Sequence, residues 1–343
     1  MRHKIWRCAT VAAVALLLCI SVAANWAWRD MQAHLDRPIK LDRPSTLFEI
    51  EYGTSLTRIA SQMKRARWLE NDLFLVLEAR RLNIGSDLKA GVYEVYDGVT
   101  PRELLNRFVE GDVKVFDITF IEGCNFSDMR ETLAQTPHLR QTIIGKDVAW
   151  ILSRIDASLS SAEGRFFPST YYFTSGDSDI QILQRAYRQM RDILEYHWTS
   201  RTLDLPYQTS MDALIMASII EKETGRSEER NQIAGVFVRR LKLGMKLQTD
   251  PTVIYGLGDL YDGNLRRKDL ERDTEYNTYT RQGLPPTPIS MPGEDSIRAA
   301  INPAEGKFLY FVSNGDGSHE FSTTLREHNE AVGRHQMSPR QTQ

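Results

Sequence analysis

The chain contains few cysteines and carries almost no net charge. Three of its 343 residues are cysteine, and its formal net charge is −2 at pH 7. Cys8 and Cys19 lie in an apolar segment and Cys124 stands alone, which gives no support for a disulfide framework or a zinc site. Without a basic excess, nothing in the composition indicates nucleic-acid binding. We therefore predict no nucleic-acid partner, no bound metal and no cofactor.

The stretch from Cys8 to Trp28 contains no charged residue. As a helix, its 21 residues would span roughly 30 Å, which is the thickness of a bilayer core. Basic residues precede it and tryptophans lie at its edges: Arg2, Lys4, Arg7, Trp6, Trp26 and Trp28. This pattern predicts a single-pass membrane anchor with a cytoplasmic N-terminus, so that everything after Arg29 lies on the far side.

Two other signals compete with the anchor. Val22–Ala24 is a passable small-residue site for cleavage of a signal peptide. A lipoprotein signal fits less well, because Leu18 rather than a small residue precedes Cys19. The length of the apolar run and its tryptophan edges favour the uncleaved anchor.

After the anchor, a loose unit occurs three times, consisting of an alternating strand, a glycine and a capped helix. The three glycines and the candidate caps that follow them are Gly53 with Thr54 or Ser55, Gly98 with Thr100, and Gly123 with Asn125 or Ser127. Pro101 suits the first position of the second helix. The pattern predicts repeated strand-to-helix connections in this part of the chain.

The first copy, together with a helix near 72–82 and a strand near 89–96, resembles a LysM module. The Gly53–Leu56 turn and the Ile59–Ala60 pair carry the resemblance. LysM modules bind glycans that contain N-acetylglucosamine, so the resemblance implies a role in holding a glycan strand. A small α/β packing domain without a ligand is the other interpretation.

A later helix carries a glutamate on its apolar face. The residues seven, four and three positions before Glu221 share its face: Leu214, Ala217 and Ser218. A carboxyl group on such a face is desolvated and can hold a proton near neutral pH, as a general acid must. Glu223 lies about 200° round the helix and is expected to point elsewhere.

The same helix also permits an ordinary structural interpretation. Thr209 or Ser210 can cap its start, Asp212 lies in its first turn, and Gly225 can stop it. On that interpretation Glu221 is a surface glutamate at a helix end.

The stretch Ala217–Gly256, with its segments ASIIEKET and LQTDPTVIYG, looks like the signature of the YceG-like or MltG family, the endolytic murein transglycosylases. Four further segments match the same pattern: Glu163–Tyr171, Tyr276–Pro286, Ala300–Pro303 and Tyr310–His328. Arg165 and Phe167 depart from the family's usual bulky residues, which concerns substrate fit more than chemistry. The resemblance spans essentially the whole chain.

The resemblance implies a bacterial enzyme, anchored in the cytoplasmic (inner) membrane, that cuts peptidoglycan strands internally at the β-1,4 bond between N-acetylmuramic acid and N-acetylglucosamine. It assigns the catalytic glutamate to Glu221. This residue would protonate the glycosidic oxygen and then accept the proton of the muramic acid 6-hydroxyl, which closes a 1,6-anhydro ring. An intramolecular nucleophile makes a second carboxylate unnecessary. Glu221→Gln is then expected to fold but to lose cleavage.

Other side chains offer hydrogen bonds or flat faces to a sugar: Glu163, Gln248, Thr249, Asp250, Tyr255, Asn277, Tyr279 and His319. For each of them alone, a structural role is the other interpretation. Asp250 precedes Pro251 and suits the start of a turn or helix. His319 and His328 lie nine residues apart without a third ligand nearby, so they do not indicate a metal site.

The predicted fold class is α+β. We expect a cytoplasmic segment and anchor at 1–29, a linker at 30–45, a small LysM-like α/β module at 46–124, a larger mixed α+β catalytic domain at 125–333 and a flexible tail at 334–343.

Two other functions fit parts of the pattern. A peptidoglycan hydrolase would pair Glu221 with Asp250 or Glu163 and release reducing ends instead of anhydro ends. A non-catalytic wall-binding scaffold would use the anchor and the LysM-like module to dock to proteins of cell-wall synthesis or division. Such proteins are candidate partners of an enzyme too, besides the glycan strands and the membrane.

Overall fold

A computed structural model of the chain describes residues 2–335, with side chains from residue 10 onward. Most of the expected tail, 334–343, lies outside the described residues. The same holds for the side chains on the basic flank of the anchor. The described chain divides into two compact units, one formed by 1–116 with 174–176 and the other by 117–173 with 177–343. The first boundary falls eight residues before the one expected at 124.

The N-terminal helix α1 (Arg2–Leu35) contains a stretch, Thr10–Leu35, that is long and apolar enough to cross a membrane. Its side chains are exposed as far as Asp30, but Met31 and Leu35 are buried in the core of the first unit. Residues 30–35, expected to begin a linker, therefore continue the helix. The reason is that Met31, Leu35 and Ile39 recur every four residues and pack together against the first unit.

The rest of the first unit alternates strands and helices. Its elements are β1 (Ser45–Ile50), α2 (Leu56–Arg65), α3 (Asp72–Arg81), β2 (Gly91–Tyr96) and α4 (Pro101–Glu110). β1 and β2 pair antiparallel, from Ser45 opposite Tyr96 to Ile50 opposite Gly91. The helices bury their apolar faces with this ribbon in one core, in which Tyr93 and Phe108 meet edge to face at 4.7 Å.

The second unit is larger and mostly helical. Its elements are β3 (Phe116–Thr119, which begins at the boundary), α5 (Phe126–Gln135), α6 (Val148–Ile155), β4 (Thr170–Phe173), α7 (Asp179–Thr199), α8 (Ser210–Glu223), α9 (Ser227–Lys242), α10 (Asp250–Leu257), a short 3-10 turn (Gly258–Leu260), α11 (Arg267–Glu271), α12 (Glu294–Ile301), β5 (Tyr310–Ser313), β6 (His319–Ser322) and α13 (Leu325–His335). β3 pairs with β4, and β5 pairs antiparallel with β6.

The three predicted strand-to-helix connections are present, with caps at predicted positions. The hydroxyl of Ser55 accepts a hydrogen bond at the start of α2, and Asn125 does the same for α5. Thr100 and Glu103 form a reciprocal capping box at the start of α4, where Pro101 takes the first position.

The position of the site follows from α8, which runs through the core of the second unit. Every residue from Ala213 to Ile220 is buried, so this helix is apolar all round and is covered by its neighbours α7, α9 and α12. Thr209 caps its start through the backbone N–H of Asp212. Its last turn, which contains Glu221 and Glu223, leaves the apolar core again.

Candidate active site

The two glutamates in the last turn of α8 lie in different surroundings, as their angular separation predicts. Oε2 of Glu221 accepts a 3.0 Å hydrogen bond from the backbone N–H of Gly293, and Oε1 lies 3.7 Å from Nη2 of Arg230. Arg230 comes from α9 and also lies 3.5 Å from Asp295. Glu221 is thus part of an ion-pair cluster, and its side chain is only 6% exposed, in keeping with the desolvation that the apolar face of its helix predicted.

Glu122 joins the same cluster. Burial raises the pKa of the Glu122 carboxyl group, and the negative charge of Glu221 raises it further, while Arg230 lowers it. The Glu122 carboxylate lies where the Cβ of a side chain at position 293 would be placed, so a larger residue there would have to displace Glu122. Glu122 is therefore packed directly against the residue whose backbone N–H bonds to Glu221.

Glu223 lies in a cavity of about 510 Å³. Its carboxylate accepts a hydrogen bond from the hydroxyl of Thr249. Burial raises the pKa of Glu223 to about 7. The Thr249 hydrogen bond and the charge of Arg240 oppose this rise, whereas the charge of Asp250 adds to it. Near neutral pH both the acid and the carboxylate form of Glu223 are therefore populated.

Five of the predicted substrate-binding residues line the Glu223 cavity: Gln248, Thr249, Asp250, Tyr279 and His319. Gln248 has a φ of 52°, a left-handed conformation that non-glycine residues seldom adopt. Two hydrogen bonds hold this turn against Thr278: the N–H of Gln248 donates to its carbonyl at 3.2 Å, and the N–H of Thr249 donates to its hydroxyl at 3.1 Å. Backbone strain held in this way is common at ligand sites.

The next residue along this loop begins a helix, as Asp250–Pro251 predicts. Thr249 is the residue before α10, and Pro251 lies in its first turn. Oδ1 of Asp250 accepts a 2.6 Å hydrogen bond from the hydroxyl of Tyr279. A second carboxylate is therefore present in the cavity and is held there by a neighbouring side chain.

Arg240 supplies positive charge to the Glu223 cavity. Arg240 is only 8% exposed, and its guanidinium lies 5.0 Å from the centre of the Tyr310 ring. Nε donates to the carbonyl of Leu309 at 2.7 Å and Nη1 to that of Leu247 at 2.8 Å. These contacts hold the guanidinium in a fixed orientation while leaving Nη2 without a protein hydrogen bond among the contacts described.

His319 is held at the cavity wall by Glu229. Its Nδ1 lies 2.7 Å from Oε2 of Glu229, and its backbone N–H donates to Oε1 at 3.1 Å. His328 stacks on Tyr310 with ring centres 5.3 Å apart. In the part of the chain that the structure describes, no three His, Cys, Asp or Glu side chains form a group able to hold a metal ion.

Glu163 and Tyr255 lie elsewhere, in a second cleft of about 860 Å³ within the same unit. Oε2 of Glu163 accepts hydrogen bonds from the hydroxyl of Tyr255 at 3.1 Å and the backbone N–H of Phe126 at 3.4 Å. Burial raises the pKa of Glu163 to about 7, although both hydrogen bonds lower it. Tyr276 meets Tyr255 edge to face at 4.8 Å.

Asn277 does not have the exposure that sugar binding requires. It is fully buried, and its Nδ2 donates to the carbonyls of Leu270 at 3.0 Å and Arg272 at 2.7 Å. Its Oδ1 accepts from the backbone N–H of Tyr279 at 2.8 Å. The geometry favours a supporting role, in which Asn277 shapes the loop that carries Tyr279, over the predicted contact with substrate.

Sequence reasoning set Glu223 aside and did not select Arg240, Arg230 or Glu122. Glu223 could have been found from the polar segment 247–250, because a loop rich in hydrogen-bonding groups is where a partner for a helix-end carboxylate is expected. The two arginines carried no such signal, since each is one of several on α9.

Comparisons with known proteins agree on one family. The model of the YceG-like family matches residues 48–334. The endolytic murein transglycosylase of Bacillus subtilis (strain 168) is 31% identical over 317 residues, which cover 86% of this chain and 86% of that protein. That of Streptococcus pneumoniae serotype 2 (strain D39 / NCTC 7466) is 25% identical over 359 residues, covering 94% of this chain and 64%, less than two thirds, of the longer relative.

A solved structure is also similar. A crystal structure of a putative YceG-like protein from Listeria monocytogenes superposes with a TM-score of 0.54 at 30% sequence identity, and covers 84% of this chain and 100% of that one. The family match extends over most of the first unit and nearly all of the second, including both cavities. The chain therefore belongs to the YceG-like family.

Proposed function

We propose that this chain is an endolytic lytic transglycosylase that cleaves the bond between N-acetylmuramic acid and N-acetylglucosamine in peptidoglycan. Its family and the names of its relatives support the general activity. One observation supports the location of the chemistry, namely the Glu223 cavity with its five predicted sugar-binding residues. A pKa of about 7 for Glu223 suits a group that must first give a proton and then take one.

In the first step, protonated Glu223 donates its proton to the glycosidic oxygen. The bond from that oxygen to the anomeric carbon of the muramic acid breaks, and the ring gains oxocarbenium character. In the second step, the Glu223 carboxylate accepts the proton of the 6-hydroxyl as its oxygen attacks the anomeric carbon. The products are a 1,6-anhydro end and a new free 4-hydroxyl, and Glu223 is protonated again.

Two neighbours would stabilise Glu223 between these steps. The Thr249 hydroxyl donates to the carboxylate, and Arg240 supplies positive charge in the same cavity. Both interactions are stronger with the charged form than with the acid, so both favour the intermediate in which the proton has left.

Glu221 remains the candidate from the sequence resemblance. The geometry favours Glu223, because Arg230 and the Gly293 N–H already occupy the Glu221 carboxylate and it does not line the Glu223 cavity.

One experiment distinguishes Glu223 from Glu221 as the catalytic glutamate, because the same substitution can be made at both positions of α8. Full-length Glu223→Gln and Glu221→Gln would be purified in detergent and incubated with peptidoglycan, and new glycan ends would be counted by mass spectrometry. We expect Glu223→Gln to lose at least about a hundredfold in rate, the usual contribution of a general acid, and Glu221→Gln to retain most activity.

The reverse result would return the catalytic role to Glu221. Full activity in both variants would contradict proton transfer by this helix. If the wild type binds glycan but generates no new ends, the scaffold interpretation gains support. Thermal unfolding of each variant shows whether it has folded.

The hydrolase interpretation is kept as a second candidate because Asp250 lies in the Glu223 cavity. A hydrolase needs a second carboxylate to activate water or to attack the sugar. We favour the transglycosylase because Asp250 already accepts the hydrogen bond of Tyr279.

The second cleft is proposed to hold sugars of the strand away from the cut. Tyr255, Tyr261 and Tyr276 offer aromatic faces there, and Glu163 and Lys222 offer polar contacts. An enzyme that cuts within a strand must bind sugars on both sides of the bond, and this cleft offers further groups for that purpose.

The first unit is proposed to act as a LysM-like glycan-holding module. Its order of β1, α2, α3 and β2 is the strand–helix–helix–strand arrangement that the resemblance implies. Glycan binding by the first unit remains a proposal separate from the catalytic one.

We further propose that α1 anchors the protein in the cytoplasmic (inner) membrane, with both units on the extracytoplasmic side. The exposed, uncharged run of α1 supports the anchor, and the location of peptidoglycan supports the side. Proteins of cell-wall synthesis or division are candidate partners at that location.

A further inference from the structure

The membrane helix is continuous with the core of the first unit. Met31 and Leu35 of α1 are 5% and 0% exposed. The uncharged exposed run ends at Trp28 and is followed by Arg29 and Asp30, both exposed. A helix that crosses a bilayer exits it where apolar residues give way to tryptophan and charge, so Trp28 marks the level of the lipid headgroups.

α3 runs antiparallel beside this exit. His34 lies 3.0 Å from Glu70, just before α3. Gln32 donates to Glu78 at 3.4 Å. The guanidinium of Arg81 lies 5.4 Å from the centre of the Trp28 ring. Residues later in α3 thus meet residues earlier in α1, and the C-terminal end of α3 points towards the membrane.

The contacts around Glu78 fix the position of α3 along α1. Glu78 is fully buried and accepts hydrogen bonds from Arg81 at 2.8 and 2.9 Å and from Arg102 of α4. Arg102 also donates to Gln32 at 2.6 Å. Because this network joins α1, α3 and α4, the end of α3 cannot move along α1 without breaking it.

The end of α3 exposes two arginines and a leucine. Arg80 and Arg81 are exposed, and Leu82 is 40% exposed. With Arg29 of α1 they place three cations near Trp28. Because Arg81 is paired with the buried Glu78, Arg29 and Arg80 carry the positive excess over the exposed Asp30. Cations and aromatic rings at one level are typical of residues that contact phosphate headgroups.

We propose that the end of α3, defined by Arg80, Arg81 and Leu82, rests on the lipid headgroup layer and binds the phosphates of anionic phospholipids. It forms a second membrane contact beside α1. This inference rests on the proposed anchor. Two separate contacts with the bilayer restrict the tilt of the first unit about its anchor, which one helix crossing alone does not do.

The experiment compares how close two positions, one at each end of α3, lie to the membrane surface. Full-length protein without its native cysteines is labelled with a nitroxide at Leu82→Cys or at Leu73→Cys. Leu73 is exposed, like Leu82, but lies about 14 Å further along the helix axis, away from the proposed membrane surface. The protein is reconstituted in phosphatidylcholine vesicles with and without phosphatidylglycerol. Collisions of the label with oxygen and with a water-soluble nickel complex are then compared.

We expect the label at 82 to be shielded from nickel and the label at 73 to be fully accessible. Shielding at 82 should be stronger with phosphatidylglycerol and should fall in the Arg80→Glu background. Arg80 is the suitable change because, unlike Arg81, it does not bond to Glu78. A label at 82 that collides with nickel as freely as the label at 73 would overturn the proposal.

A third label tests separately whether α1 lies in the bilayer, so that an error in the second contact can be distinguished from an error in the anchor. Native Cys19 is exposed in the middle of the uncharged run. When it is labelled with Cys8 and Cys124 replaced, it should collide with oxygen and not with nickel. If Cys19 is shielded but residue 82 is not, only the second contact is wrong. If Cys19 is open to nickel, both the anchor and the second contact are wrong.

Discussion

The hydroxyl of Tyr279 donates a 2.6 Å hydrogen bond to Oδ1 of Asp250 in the cavity that contains Glu223. The two residues lie 29 positions apart in the chain. Tyr279 thereby holds the second carboxylate of the cavity, whose charge raises the pKa of Glu223.

Asp250→Asn should weaken cleavage without abolishing it, and the products should still carry 1,6-anhydro ends. The reason is that, in the proposed mechanism, Glu223 would perform both proton transfers and Asp250 would only shape its surroundings. Mass spectrometry of the digests distinguishes anhydro ends, which are lighter by one water, from reducing ends. Tyr279→Phe is the matched variant and should show a similar partial loss, since it frees Asp250 but keeps the ring. Reducing ends with oxygen from labelled water, together with complete loss in Asp250→Asn, would establish a hydrolase.

The rate should fall as pH rises through about 7. Glu223 must be protonated to act as the acid, and its pKa is about 7. Thr249→Val removes a hydrogen bond that lowers this pKa, so the high-pH limb of kcat/KM should move to higher pH. Thr252→Val is the control, because the Thr252 hydroxyl contacts Thr249 and Thr278 and not Glu223. If the high-pH limb of kcat/KM does not move in Thr249→Val, a group other than Glu223 controls that limb.

Glu223→Gln should stabilise the folded protein at alkaline pH. Burial raises the pKa of this carboxyl group from 4.5 to about 7, so the folded state must ionise a group that it prefers to keep neutral. Relative to the variant, the free energy of unfolding of the wild type is highest below pH 4.5. It falls as pH rises from 4.5 through 7. Melting temperatures of both proteins, measured from pH 4 to 9, should diverge in that direction. Parallel curves would contradict the raised pKa.

Glu78→Gln should destabilise the first unit by roughly 3 kcal/mol, because it leaves two arginines facing an uncharged group. The pKa of Glu78 is lowered to about 2, chiefly by Arg81, so its contribution is present above pH 4.5 and is lost as pH falls towards 2. Hydrogen exchange followed by mass spectrometry should show faster exchange in α3 and α4 at pH 7. Glu51→Gln, at an exposed position, is the control. Equal exchange in both variants would mean that the network adds no stability.

Full-length protein should fractionate with the cytoplasmic membrane, with residues after Arg29 open to protease from outside. The exposed uncharged run of α1 is the reason. Intact mass and the N-terminal sequence give the measurement. A mature protein that begins near Asn25 and is free in solution would show that Val22–Ala24 is a cleavage site.

Local features could be predicted from the sequence because neighbouring residues determine them. Ser55, Thr100 and Asn125 cap their helices through bonds that span three residues. Thr209 does the same for α8. The angle between Glu221 and Glu223 is likewise a property of one helix. The family is also readable from the sequence, since its motifs are short and occur in order.

The surroundings of those glutamates depended on residues far away in the chain. Glu221 meets Arg230 and Gly293, and Glu223 meets Thr249 and Arg240, each supplied by another segment. A helical wheel shows which residues share a face but not what packs on it. The apolar face therefore pointed to Glu221, whereas the fold places the cavity beside Glu223.

The sequence by itself determined the family, the apolar N-terminal helix, the helix starts and the set of polar residues near Glu223. Only the tertiary structure decided which carboxyl group lines a cavity and which is paired with an arginine. The physical reason is that the pKa and accessibility of a side chain depend on the groups packed around it, and those groups come from segments that are distant in sequence.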